Sequence, residues 1–265
     1  MRFGICYSPD QSLALAKAGY DFVEWPMSRT VGEMDEEAYQ SLRNLAQDLP
    51  VAPEAWNVML PRSIMVVGPD ADHTGMKRYI ETALSRAAEL GGQVVVFGSG
   101  GSRMVPDAWS PEEAARQFDD ACRIVGDVAA QNGITIAIEP LRRAETNLVN
   151  SVSEAAVIVK RVGHSSVQIL SDLYHVAEED EPLRDTGAAA AILAHVHIAA
   201  PYSRAMPHPG EADSMYQEYF RILQRSGYNQ RISIECSPRP TVDEAAEGLK
   251  YIKSLWEEVA SQAPV

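Results

Sequence analysis

The chain has 265 residues, of which 46% are hydrophobic and 23% charged, with a formal net charge of −14. That length is usual for one (β/α)8 barrel and long enough to bury a large core. So negative a chain repels polyphosphate, which argues against nucleic acid as a partner.

Cys6, Cys122 and Cys236 are odd in number and widely spaced. That excludes a disulfide framework and a cysteine-based zinc site, and fits a reducing compartment. The chain opens directly into Arg2-Phe3-Gly4-Ile5 rather than into an apolar leader, and no run approaches the roughly 18 apolar residues of a membrane span. A soluble, cytoplasmic protein without a membrane partner is the expectation.

Along the chain, short β-branched runs ending in polar residues alternate with longer stretches of helical spacing. A strand is predicted over Arg2–Tyr7, then a helix over Gln11–Ala18 closed by Gly19. Strand Phe22–Trp25 precedes helix Asp35–Gln47, and strand Ala52–Trp56 precedes helix Met76–Leu90. The non-periodic segment Asn57–Thr74 between them reads as a lid or rim loop over an active-site mouth. After strand Val94–Gly98, Ser110-Pro111-Glu112-Glu113 supplies a cap, a proline and an acidic first turn, opening a helix that runs to Asn132-Gly133. The remaining pairs are Ile134–Glu139 with Ser153–Val162, Val167–Asp172 with Pro182–Leu193, His195–Ala199 with Met215–Arg225, and Arg231–Cys236 with Val242–Val259.

Alternating units of this kind imply a parallel sheet with right-handed crossovers, and eight of them in a chain of this length imply closure into a single (β/α)8 TIM barrel over residues 1–265. A Rossmann-like sheet would want a glycine-rich turn after the first strand, which Tyr7-Ser8-Pro9-Asp10 does not supply.

In such a barrel the strand ends meet at one face, where active sites lie. Consecutive strands end in Glu139, Asp172, His197 and Glu235, so three carboxylates and an imidazole would share one cavity. Buried like charges repel, and a divalent cation relieves this better than protonation does. Oxygen-rich ligation with one imidazole suits Mn²⁺ best, with Mg²⁺ or Co²⁺ as alternatives. His195 lies one layer deeper on the same face and reads as a packed, hydrogen-bonded histidine.

The runs Glu139-Pro-Leu-Arg-Arg-Ala-Glu145-Thr-Asn147, Asp172-Leu-Tyr-His175, His197-Ile-Ala and Glu235 resemble the xylose isomerase-like sugar isomerase/epimerase superfamily, closest in pattern to the D-tagatose/D-psicose 3-epimerases. The resemblance covers the whole chain, including Phe22-Val-Glu24-Trp-Pro and Phe97-Gly-Ser-Gly-Gly-Ser-Arg103. It implies that Glu139, Asp172, His197 and Glu235 hold one divalent metal, and that Glu139 and Glu235 also form the acid/base pair. It further implies that Glu145, His175 and Arg204 hold the substrate, and it allows a homo-oligomer. Glu24 is a candidate contact to a substrate hydroxyl. Trp56, with Trp25 and Trp109, is a candidate apolar wall.

The leading expectation is a metal-dependent isomerase or epimerase of a small ketose or keto-sugar, working by proton abstraction beside a carbonyl. A lyase with the same site, acting on a keto-inositol or a 3-keto-glycoside, is the alternative. An abasic-site endonuclease would need histidines where Trp56-Asn57 and Phe97-Gly98 stand, and a pure binding protein has no need of three carboxylates in one cavity. The loop Gly98–Arg103 reads as a tight turn more than a phosphate cradle. Mixed donors and acceptors at the strand ends point to an unphosphorylated polyhydroxy ketone.

Overall fold

Strands with both faces buried are satisfied only inside a sheet jacketed by helices. A computed structural model of the chain describes residues 1–262 and shows such a sheet. Strands β1 (Arg2–Cys6), β2 (Phe22–Pro26), β3 (Ala55–Asn57), β4 (Val94–Phe97), β5 (Thr135–Ile138), β6 (Val167–Asp172), β7 (Leu193–Ile198) and β8 (Arg231–Ile234) pair in parallel in chain order. β8 closes on β1, with Phe3 opposite Ile232 and Ile5 opposite Ile234. This is the expected (β/α)8 barrel.

Helices α1 (Ser12–Lys17), α2 (Met27–Thr30), α3 (Glu36–Asp48), α4 (His73–Glu89), α5 (Pro111–Gln131), α6 (Val152–Val162), α7 (Leu173–Glu178), α8 (Arg184–Ala188), α9 (Asp213–Arg225) and α10 (Val242–Ser261) surround it. Several start where a side-chain oxygen takes up a free N–H of the first turn: Asp35 for α3, Asp72 for α4, Ser110 for α5 and Ser151 for α6. Thr241 and Glu244 form a full capping box on α10. No helix among the described residues is long and apolar enough to cross a membrane.

Alternation along each strand divides the apolar residues into two cores. Phe22, Ala55, Val94, Val96, Ala137, Leu170 and Ala194 fill the barrel interior. A much larger set, including Ile5, Trp25, Trp56, Phe97, Ile136, Ile169 and Ile198, packs between the strands and the helices. At the N-terminal end, the Glu54 carboxylate accepts from Arg2 Nη1 at 2.6 Å and Arg231 Nε at 2.8 Å, tying the first and last strands to the segment before β3.

The structure moves several predicted boundaries. β3 begins later than expected and takes in Asn57, because Pro53 has no N–H for the ladder. The helix expected over Pro182–Leu193 is the short α8 followed by a 3₁₀ turn over Ala190–Ile192. Its alanines favour helix in isolation, but Leu193 is buried opposite Ile169 and belongs to β7. The short helices α2 and α7 sit directly on strand ends and carry too few residues to show a period.

The segment after β3 is a rim rather than a loose lid. Met59, Leu60, Val66 and Val67 are buried. Val66 N–H donates to Ser102 O at 2.8 Å, and Tyr79 O–H donates to Met59 O at 3.1 Å.

Arg103 has a structural place instead of the phosphate-cradle one weighed from sequence. It is fully buried, donates to Phe97 O at 3.2 Å and Glu139 O at 2.6 Å, and lies over the Phe118 ring. It therefore ties the end of β4 to the residue that follows β5. Arg103→Ala would strand two buried carbonyls and open a cavity, so a loss of about 3 kcal/mol or more is expected in urea unfolding. A loss below about 1 kcal/mol would show that this tie is dispensable.

Candidate active site

Inward positions at or just past the strand ends place Cys6, Asn57, Gly98, Glu139, Asp172, His197 and Glu235 around the C-terminal mouth, with Glu24 buried beneath them. Within this ring, Glu139, Asp172, His197 and Glu235 each offer one ligand atom, all within 4.8 Å of one another. Gly98 makes room for the group: a Cβ there would collide with the Glu139 carboxylate.

His197 is at the centre. Its Nδ1 lies 3.2 Å from Glu139 Oε1 and 3.6 Å from Glu235 Oε2. Its Nε2 lies 2.9 Å from Glu24 Oε1, and the other Glu24 oxygen is 2.8 Å from His195 Nε2. An ionised carboxylate only accepts, so Glu24 keeps a proton on His197 Nε2. Although burial opposes it, Glu24 and the other anions around the ring raise its pKa, so Nδ1 also carries a proton toward Glu139 and would give it up to a bound cation. Histidines that bind metals are oriented by carboxylates in this way.

Asp172 caps α7. Its Oδ1 accepts from Tyr174 N–H at 2.9 Å, while its buried Oδ2 has no hydrogen-bond partner.

The charges are unevenly balanced. Burial raises the Glu139 carboxyl and lifts Asp172 to about 7, with the neighbouring carboxylates adding to the effect on Asp172 and His197 opposing it. Glu235 is half-buried, which would raise it, but His197 and Arg204 outweigh that and hold it down at about 2. Burial likewise opposes ionisation of Glu24, and its two imidazoles overcome it. Three carboxylate oxygens and one imidazole nitrogen, one oxygen being orphaned and buried, form a donor set that fits a hard divalent cation.

The expected substrate residues stand beside this cluster. Arg204 pairs with Glu235 Oε2 at 2.6 Å and Glu145 Oε1 at 3.3 Å, and lies 4.9 Å from the Tyr174 ring centre. His175 is buried, and its Nδ1 accepts from Arg142 N–H at 3.2 Å. Its Nε2 has no hydrogen-bond partner, and burial first and Arg204 second push its pKa down to about 3. A cavity of about 490 Å³ opens in front, lined by Asn57, Glu139, Glu145, Arg204 and Glu235 among others.

Two expectations are corrected. Glu24 does not face the cavity as a hydroxyl contact: it is fully buried and its two oxygens are taken by His195 and His197. Trp56 is no wall of the cavity. It follows an inward Ala55 and so points outward, edge-on to Trp25 at 5.5 Å between centroids. Trp109 is only partly buried and donates to Gln117 from its indole nitrogen, outside the cavity lining. Two neighbours were missed. Asn57 donates to Glu235 Oε1 at 3.1 Å, and the Tyr174 ring sits beside both Arg142 and Arg204. The inward parity of Ala55 would have found Asn57; Tyr174 gave no signal.

Comparison with known proteins agrees with this architecture. The family model described as "Xylose isomerase-like TIM barrel" matches residues 13–255, and the chain belongs to that family. A 3-dehydro-D-guloside 4-epimerase of Escherichia coli is 30% identical over 61% of this chain, a match that spans 63% of that enzyme's own length. A D-psicose 3-epimerase of Agrobacterium fabrum is 24% identical over 83% of this chain and 76% of its own. The solved D-psicose 3-epimerase from Clostridium cellulolyticum, crystallised with D-tagatose, superposes with a TM-score of 0.81 at 20% identity, covering 97% of this chain and 99% of that one. The chain spans about half to three quarters of the length of the curated relatives it matches.

Two outcomes follow from the electrostatics. Glu24→Gln, which presents an amide N–H₂ to one of the two imidazoles, should keep the fold by near-ultraviolet circular dichroism and weaken Mn²⁺ binding by about 10- to 100-fold in calorimetry. Affinity within twofold of wild type would show that His197 needs no such partner.

The second concerns Asp172. Folding raises its carboxyl from 3.8 to about 7, so its contribution to stability is full below pH 3.8 and is lost as pH rises through about 7. Without metal, the stability of wild type relative to Asp172→Asn should fall across that window in urea titrations. Saturating Mn²⁺ should remove the trend, because bound metal favours the carboxylate. A flat metal-free difference would mean that Asp172 ionises freely.

Proposed function

We propose that this enzyme is a divalent-metal-dependent epimerase or isomerase of a small ketose or keto-sugar. One arrangement carries the reading: Glu139 and Glu235, from different strands, meet at His197 Nδ1 at 3.2 and 3.6 Å, and both line the cavity. The relatives named as sugar epimerases support it. Glu139, Asp172, His197 and Glu235 would hold the ion, with Mn²⁺ the first candidate and Mg²⁺ or Co²⁺ alternatives. When bound, it would polarise a substrate carbonyl and spread the negative charge that builds as a neighbouring proton leaves.

The chain's own residues do the rest. One of the two carboxylates takes a proton from the carbon beside the carbonyl, and the other returns a proton to the opposite face; in the reverse reaction they exchange roles. Arg204 is the donor placed for a substrate oxygen, and Glu145 keeps it oriented. His175 is neutral, and its Nε2, where the proton must sit because Nδ1 accepts from Arg142, lies buried 3.7 Å from Asp172 Oδ2, so it would steady that ligand from behind the cavity wall. The Tyr174 ring limits how far the Arg204 guanidinium can swing.

The test is exchange of substrate hydrogen with deuterated solvent, using D-psicose, D-tagatose, a 3-keto-glucoside and a keto-inositol. Glu139→Gln and Glu235→Gln should each bind metal and lose exchange by about 10²–10⁴-fold. Near wild-type exchange in either variant removes that carboxylate from the chemistry. A product with an inverted centre identifies an epimerase; release of a leaving group identifies the lyase alternative instead.

A further inference from the structure

Two cations on the cavity wall have no part in the chemistry above. Arg29, on α2, and Arg62, on the rim after β3, both line the cavity and are exposed, whereas Glu139 is 5% exposed. They therefore stand at the mouth, outward of the acid/base pair. The other cavity arginine is engaged, since Arg204 pairs with Glu145 and Glu235. Among the described residues, neither Arg29 nor Arg62 has an acidic partner, in a chain that carries a net charge of −14.

Arg62 is also held in place. Leu60 N–H donates to Ser99 Oγ at 3.0 Å, and Ser102 Oγ donates to Pro61 O at 3.1 Å, which fixes the backbone leading into it. Its side chain lies over Gly101, where a Cβ would come within 3.2 Å of Arg62 Cγ and 3.4 Å of Nε. A side chain at 101 would crowd the Arg62 stem and Nε on this wall.

We propose that Arg29 and Arg62 form an anion subsite, and that the substrate is a keto-sugar acid with a carboxylate at the end remote from its reacting carbonyl. A neutral sugar has no use for unpaired guanidinium groups at the entrance, whereas an anion approaching so acidic a protein needs the local field reversed. Guanidinium forks match a carboxylate's two oxygens in bidentate fashion. Two guanidinium groups are enough for a carboxylate's single charge, whereas a phosphate dianion would call for more cationic charge than this wall carries, and no lysine is among its lining residues. The inference rests on the epimerase reading for where the carbonyl lies, but the charge preference is read by binding alone.

The matched probes are D-fructose, D-fructuronate and D-fructose 6-phosphate, titrated calorimetrically into the Mn²⁺-loaded enzyme at low and high salt. Fructuronate should bind at least about tenfold more tightly than fructose at low salt, with the advantage shrinking as salt rises. Arg62→Ala should abolish most of that advantage and change fructose affinity less than twofold; Arg29→Ala should act in the same direction. The proposal is overturned if fructuronate binds no better than fructose, if the phosphate ester binds more tightly than fructuronate, or if Arg62→Ala weakens acid and neutral sugar alike. Hydrogen exchange on the same three compounds reports separately on the epimerase reading. A preference for the acid without exchange leaves the subsite standing and removes the reaction.

Discussion

The hydrogen bond from His197 Nε2 to Glu24 orders everything above it. Three carboxylates converge on one side of this imidazole, in a place from which water is largely excluded. Left to themselves they would repel, and burial would protonate them or push them out. Glu24 acts from below: it fixes the ring and keeps a proton on its Nε2, holding in place the imidazole whose charge offsets the acids above. Arg204 works from above by pairing with Glu235. The ring of acids thus sits between the His197 imidazole and the Arg204 guanidinium, and the gap that remains is the buried, unpartnered Asp172 Oδ2, the place where an ion's charge would finish the balance.

The geometry that allows this is the two-residue period of a strand. Because inward and outward positions alternate, Ala55 and Asn57, and Leu170 and Asp172, stack in pairs, an apolar residue deep in the barrel and a polar one at the mouth, while Phe22 lies under the buried Glu24. The same alternation sends Trp25, Trp56, Ile169 and Ile198 outward into the helix layer. The apolar floor is a condition of the chemistry, since it keeps the dielectric low beneath the charged ring.

Much of this was legible in the sequence. Glu139, Asp172, His197 and Glu235 end successive apolar runs, and the alternation of runs fixed the barrel without further information. Parity applied to His195 correctly put it one layer down, hydrogen-bonded. The same rule, carried through, would have ruled out Trp56 and promoted Asn57, so those errors came from reading aromatic residues as sugar platforms before checking which way they face. Glu24 was placed on the right face, but sequence has no measure of depth and could not show that two histidines from β7 would close over it. Arg29 and Arg62 belong to segments without a period, where position depends on packing against the loop after β4. The broken sixth helix shows the same limit: its alanines satisfy a helix locally, and only the pairing of Leu193 with Ile169 decides otherwise.

The anchored rim after β3 divides the molecule's work between its two halves. The converging acids and His197 stand at the ends of β5 to β8, whereas the arginines at the entrance are carried by chain that follows β2 and β3. The rim is pinned through its buried apolar residues and backbone bonds, so its exposed side chains bear little of the load. The mouth can therefore exchange one exposed side chain for another without disturbing the charge balance of the acid ring below it.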